Sequence, residues 1–403
     1  MSALELRASL ALASIFGLRL FGMFVILPVF ALYAQGLPGW NLTLVGVALG
    51  AYGLTQAMLQ IPFGWASDRL GRKPVMVAGL LVFAAGSAVC AVAESPWLVI
   101  LGRTIQGAGA ISGVAIATAA DLTTPAQRTK SMAIIGSTIG LAFAFSFVVA
   151  PSLKAAIGVP GIFAFTGVLA LAAIAVVAFA VPPVPATTRG GDPVSIGRLL
   201  RDPELARLNV GIFALHAVLM ALFVVVPLAL VRAGMPWESH STLYLAAVGV
   251  GFVAMLPFVA VRRVARHERE VFLGAVAVLA LALGVFAAAG DAFAFLAAGL
   301  VIFFSAFNVL EAKLPALVSK AAPPSAKGAA SGVYASVQFL GTFAGGAAGG
   351  AIAQHHGASV LLAGCVLLTL VWLAVAWPMA RPGAGEHHPD SGLGPRGPHA
   401  TNP

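Results

Sequence analysis

The 403-residue chain is 60% hydrophobic and only 9% charged, with a mean hydropathy of +0.98 and a formal net charge of +9. A soluble domain is roughly 45–50% apolar and about 25% charged, so this composition excludes an ordinary globular protein and indicates membrane-spanning helices. The two cysteines, Cys90 and Cys365, lie far apart inside apolar runs, which gives no expectation of a disulfide framework or a metal site.

Apolar runs bounded by charges, prolines or glycine clusters predict twelve spans. The first six fall at about 10–33, 43–66, 74–93, 97–120, 130–152 and 160–181. The second six fall at about 208–231, 241–261, 271–289, 293–318, 328–353 and 359–379. The first run is longer than a signal-peptide core and lacks a small-x-small cleavage site, so it is predicted to be a retained helix.

Twelve crossings return both termini to one side. If that side is cytoplasmic, eighteen of the 23 Lys and Arg residues lie there, only Lys154 and Arg232 lie opposite, and Arg19, Arg103 and Lys313 fall within spans. The positive-inside rule therefore predicts cytoplasmic termini. The same asymmetry accounts for the basic balance as topology and leaves nucleic-acid binding without support.

Residues 1–182 are predicted to form one six-helix bundle, 183–207 a cytoplasmic linker, 208–380 a second six-helix bundle and 381–403 a disordered tail. Within the linker, 195–208 reads as a connector lying along the membrane, with a short amphipathic helix at the cytoplasmic surface as the alternative. The halves echo each other: 24-FVILP-28 matches 223-FVVVP-227, and the fourth and tenth spans share LVI before a basic, proline-containing turn. Such internal symmetry marks a two-half transporter with its substrate site at the interface near mid-membrane.

The stretch 64-GWASDRLGRK-73 resembles the signature between helices two and three of the major facilitator superfamily, and 103-RTIQGAGA-110 resembles its fourth-helix motif. Through 19-RLFGMFVILPV-29, 53-GLTQAMLQIPFG-64 and 305-SAFNVLEAKLPALVSK-320 the chain further resembles the YajR-type branch of proton-coupled drug-efflux antiporters. The resemblance implies an all-α fold of two pseudo-symmetric bundles working by alternating access in a bacterial inner membrane. The antiporter motif of the fifth helix departs from its pattern at Ser146 and Ala150, which weakens the inference of export over import.

The resemblance also implies a gating role for Gly64, Asp68, Arg69, Gly71, Arg72, Lys73 and Asp121. Asp68 would latch onto the start of span eleven near Gly328 and Ala329 when the cytoplasmic side closes, and Arg72 would bridge Asp68 and Asp121. Arg69 and Lys73 would hold the loop inside, while Gly64 and Gly71 would permit close packing and a turn.

Ionisable residues within spans are Arg19, Arg103, His216, Glu311 and Lys313, on spans one, four, seven and ten, the four that line the cavity in this family. Buried charge is costly in hydrocarbon, so such residues mark a polar pathway by default. Glu311 is the one carboxylate well inside a span, and alternating exposure would let it bind and release a proton. Arg19 and Arg103 cannot deprotonate and read as counter-charges or contacts for an anionic substrate. Arg103 and Glu311 differ in depth by roughly 9 Å, which argues against a direct pair. His216 titrates near neutrality or simply packs, Lys313 is expected to snorkel to the inner surface, and Asn308, Gln56, Gln60, Gln106 and Gln338 are further polar candidates.

The expected function is secondary transport, with proton-coupled efflux of small amphipathic or hydrophobic molecules leading and a metabolite or sugar transporter or an integral-membrane enzyme as alternatives. The enzyme reading lacks a nucleophile, metal cluster or acid/base constellation. The proton would be the coupling ion with no cofactor, and the partners a small-molecule substrate and the bilayer, with the chain a monomer.

Overall fold

The computed structural model describes residues 1–124, 126–184, 196–260, 267–323 and 326–379, and among these every regular element is a helix. The expected tail, the middle of the linker with Arg189, and Arg262, Arg263 and Arg266 lie outside the described residues.

The first crossing is α1 (Ala3–Phe24) followed by α2 (Leu27–Ala34). Ser2 caps α1 reciprocally with Glu5, and the helix breaks at Val25–Ile26, just before Pro28, whose ring cannot continue the ladder. Then follow α3 (Leu42–Leu70), α4 (Arg72–Ala91), α5 (Pro96–Ala108) and α6 (Ser112–Asp121). The break between α5 and α6 lies where Gly107 and Gly109 press on the carbonyls of Tyr52 and Gly79, at 2.1 and 2.3 Å from where a Cβ would sit.

Helix α7 (Arg128–Ala175) has 48 residues, about 72 Å if straight and more than twice the hydrocarbon core. It is two crossings divided at Gly158, at φ 66°, ahead of Pro160. The second crossing returns to the start of α1, where Arg7 donates to the carbonyls of Phe179 and Ala180.

The connector stretch from residue 196 onward holds a short helix and the start of a longer one. Helix α8 (Ile196–Arg201) ends before Asp202, whose carboxylate caps a new helix led by Pro203. That new helix is α9 (Pro203–Arg232), so the seventh crossing begins five residues earlier than the apolar run alone indicates, and Pro227 lies inside it without breaking it. The remaining crossings are α10 (His240–Ala260), α11 (Glu268–Ala289), α12 (Phe293–Ala321), α13 (Lys327–His356) and α14 (Ala358–Ala376).

Ten stretches are long and apolar enough to cross a membrane; with α7 counted twice and the Gly/Ala-rich α13 added, the described residues make twelve crossings. We call the end that carries residues 1 and 379 the inner end. There Glu5 accepts from Thr124, Lys320 pairs with Glu268 at 2.7 Å, and Arg269 donates to the Met379 carbonyl at 3.1 Å. At the outer end Arg232 pairs with Asp291 at 3.1 Å and the Leu42 amide donates to Gln354.

Helix α13 is held on two faces by small residues, which substitute for the hydrophobic drive that lipid does not supply. Gly341 and Gly345 press on the α9 backbone at Phe213 and Ala217, while Gly346 and Gly350 press on α3 at Gly46 and Leu42. A Cβ at Gly46 would lie 2.0 Å from the Gly346 carbonyl oxygen, and one at Gly53 would lie 2.5 Å from that of Phe339.

Gly64 continues the stripe of α3 that runs through Gly46, Gly50, Gly53 and Gln60, and Gly332 and Gly328 continue the facing stripe of α13. A Cβ at any of these three inner glycines meets nothing within 4 Å. The two helices therefore touch at the outer end and diverge toward the inner end. An aromatic plug closes the outer half as well: Phe147 of α7 meets Phe223, Tyr244 and Phe304 at 4.9, 5.9 and 5.7 Å between ring centroids, and Phe143 stacks on Phe307 at 5.4 Å. The molecule is closed outside and open inside.

Candidate functional site: two polar clusters and an inner gate

The loop between α3 and α4 forms around Arg72. Gly71 takes a positive φ of 94° between α3 and α4, which places Arg72 at the first turn of α4 with only 6% of its surface exposed. Its guanidinium pairs with Asp68 at 2.6 Å and with Asp121 at 2.9 Å, and donates to Ser67 Oγ at 2.6 Å. The expected bridge is therefore present, with Ser67 as a third acceptor that the spacing of charges alone does not reveal. Arg69 lies over the Trp65 ring at 3.7 Å, and Lys73 is half-exposed. The close packing expected at Gly64 is not formed, because the start of α13 stands away from α3 in this inner-open arrangement.

Arg19 occupies the middle of the first crossing, with 3% of its surface exposed. It donates to Ser112 Oγ of α6 and to the Tyr52 hydroxyl of α3, each at 2.7 Å, and to Gln56 Oε1. Gln56 in turn donates to Gln60 Oε1 at 2.9 Å. Tyr52 and Ser112 emerge only in the structure. Tyr52 is one of just four tyrosines and Ser112 follows the α5–α6 break, which are the faint signals they leave in the sequence.

Arg103 belongs to a separate network. It donates to the Ala48 carbonyl at 3.4 Å and to Gln106 Oε1 at 3.0 Å, and lies 4.9 Å from the centre of the Tyr52 ring. Gln106 passes the chain on to Ser87 Oγ at 2.8 Å. This network ties α3, α4 and α5 together within the first half. Among the described residues neither arginine has an ion-pair partner.

The second cluster lies on α9, α12 and α13. Gln338 Nε2 is 2.8 Å from His216 Nε2 and 3.5 Å from Glu311 Oε1, so one amide joins the imidazole and the carboxylate. His216 Nε2 itself stands 3.9 Å from Glu311 Oε2. The Glu311 side chain keeps 31% of its surface exposed, and Pro315 and Ser319, each one turn further along α12, are exposed toward the inner end. The nearby Tyr334 hydroxyl of α13 is buried without a hydrogen-bond partner.

Asn308 is buried, with Nδ2 unpaired, where Gly251 of α10 approaches α12. Lys313 keeps only 8% of its surface, so the snorkelling expected of it gives way to burial within the second half. The two clusters sit on opposite sides of one contact, where the Tyr52 and Phe339 rings meet at 6.1 Å. Just beyond that contact α3 and α13 separate. Among the described residues there is no group of His, Cys, Asp and Glu able to hold a metal ion.

Comparison with known proteins agrees with this geometry. The family model of the Major Facilitator Superfamily matches residues 12–346. The chain is 43% identical over 383 residues to the inner membrane transport protein YajR of Escherichia coli (strain K12), covering 94% of this chain and 84% of that protein. Over 88 residues, 22% of each protein, it is 40% identical to the multidrug resistance protein MdtH of Yersinia enterocolitica. Among solved structures, a bacterial homolog of the human lysosomal transporter Spinster, in an inward-facing and occupied conformation, superposes with a TM-score of 0.72 at 15% identity, covering 94% of this chain and 97% of that one. The chain is a multi-pass membrane protein that belongs to the major facilitator superfamily of transporters, and not to an enzyme class.

Proposed function

We propose that this transporter exports small amphipathic molecules from the cytoplasm in exchange for protons, by rocking residues 1–182 against 208–380. The observation that carries the reading is the placement of Glu311: a membrane-embedded carboxylate, linked through Gln338 to His216, at the point where the two walls begin to part. A carboxylate that is shielded in one state and wetted in the other changes its proton occupancy as the protein changes state. Arg72, Asp68 and Asp121 hold the inner loop in shape, and the Asp68 side of that loop meets the positive end of α13 when the inner side closes. The inner-membrane name of YajR and the multidrug name of MdtH support the localisation and the substrate class. Charge asymmetry supports cytoplasmic termini.

The test is reconstitution of the purified protein in liposomes with a trapped pH indicator, followed by addition of hydrophobic candidate substrates. Addition should move protons in the wild type, and Glu311→Gln should remove that movement while substrate exchange at equal concentrations persists. Full pH-dependent coupling in Glu311→Gln would remove Glu311 from the mechanism.

A further inference from the structure

Arg19 and Arg103 are both buried guanidinium groups on the first half, yet their surroundings differ. The network of Arg103 leaves none of its buried nitrogens without a partner. The network of Arg19 has a surplus of donors. The hydroxyl oxygens of Tyr52 and Ser112 both accept from the guanidinium, so each keeps its own proton to donate. Arg19 Nε and Gln60 Nε2 are buried with no hydrogen-bond partner, and both residues keep only 3% of their surface. The amide oxygens of Gln56 and Gln60 are already engaged, by Arg19 and Gln56.

Every group that accepts from Arg19 is neutral, and the unpartnered buried atoms beside it, Arg19 Nε and Gln60 Nε2, are donors. A buried charge left in that condition is strongly unfavourable, and its complement is an anion that accepts several hydrogen bonds at once. A guanidinium fork matches a carboxylate geometrically, and the buried Tyr52 and Phe83 rings, 5.8 and 6.0 Å from the Arg19 guanidinium carbon, back it from the protein side. Gly113, Ile116, Ala117 and Ala120, one stripe of α6 running from Ser112 toward the inner end, remain half-exposed and lead to the cluster.

We infer that Arg19, together with Tyr52, Ser112 and Gln60, binds the carboxylate of an amphipathic organic anion, the transported molecule. This rests on the transporter reading above and narrows its substrate class. The chain's own Glu311, brought across in another state, is the competing source of the same chemistry.

Thermal unfolding of the purified full chain, measured with 2-naphthoate, its methyl ester and the matching naphthylmethyl ammonium, separates these cases. Naphthoate should raise the unfolding temperature while the ester and the ammonium leave it unchanged. Naphthoate affinity should fall at least tenfold in both Arg19→Lys, which keeps the charge but loses the fork, and Ser112→Ala, which keeps the guanidinium. It should persist in Glu311→Gln. Equal responses to all three probes, no response to naphthoate, or unchanged affinity in both Arg19→Lys and Ser112→Ala would overturn the site. Binding of naphthoate by Glu311→Gln but not by the wild type would assign the anion to Glu311 instead. Proton-driven transport of the ammonium without naphthoate binding would leave the transporter reading intact and remove the anion site; naphthoate binding without proton-coupled transport would do the reverse.

Discussion

The outer closure rests on a backbone contact that one methyl group can break. A Cβ at Gly46 would lie 2.0 Å from the carbonyl oxygen of Gly346, against 3.4–4 Å for ordinary contact, so Gly46→Ala forces α3 and α13 apart by more than an ångström at the outer end. Overpacking of this kind costs about 1–3 kcal/mol. Only the outer-closed state carries the cost, and about 1.4 kcal/mol is tenfold in an equilibrium, so the inner-open population should fall roughly 5- to 150-fold relative to the outer-open one. Spin labels on Leu70→Cys and Lys327→Cys, at the inner ends of α3 and α13, report the change when Cys90 and Cys365 are replaced by alanine. Gly46→Ala should move the distance distribution to shorter values. Gly345→Ala is the control: its Cβ would lie 2.0 Å from the Ala217 carbonyl oxygen, but α9 and α13 belong to the same half. It should lower the unfolding temperature and leave the distances alone. An unchanged distribution in Gly46→Ala, or the same shift in both variants, would refute the reasoning.

Gly64→Val should fold normally, because a Cβ there meets nothing within 4 Å, yet hold the labelled inner ends apart and abolish transport by obstructing inner closure. Short inner distances in that variant would show that Gly64 does not face α13 in the closed state. Asp121→Asn replaces one of two carboxylates on a buried Arg72 and should cost about 1–3 kcal/mol of stability, read as a lower unfolding temperature at low and high salt alike. Tyr52→Phe removes an acceptor from a buried guanidinium and should also cost about 1–3 kcal/mol, while the ring contacts with Phe83 and Phe339 remain. A loss confined to high salt for Asp121→Asn, or none for Tyr52→Phe, would contradict the assigned contacts.

The helices are legible because a bilayer imposes a length and a polarity on each, and the spans drawn from apolar runs fall on the observed crossings. What periodic apolarity misses is where a helix starts in polar sequence. Asp202 and Pro203 set the start of α9 by capping and by a missing N–H, neither of which changes the hydropathy of the run. Prolines at matching places in the two halves also act differently: the helix breaks ahead of Pro28 but runs through Pro227. The Arg72 bridge is legible because its partners have a fixed spacing along one motif and the end of one neighbouring helix. The distinction between Arg19 and Arg103 is not, because it depends on which acceptors arrive from other helices.

Arg19 and Arg103 share a neighbour, Tyr52, which on the proposed mechanism would let the two halves sense one another. The Tyr52 hydroxyl accepts from Arg19, its ring faces Arg103, and the same ring meets Phe339, which follows Gln338 on α13. Gln338 holds His216 and Glu311. Anion binding at Arg19 and a change in protonation at Glu311 would therefore act on opposite faces of one ring contact, at the level where α3 and α13 part. Rocking of the halves must disturb that contact, since the glycine crossing just outside it leaves no slack for the helices to slide. An anion at Arg19 and a proton at Glu311 would then compete through geometry at a distance, with no requirement that they touch.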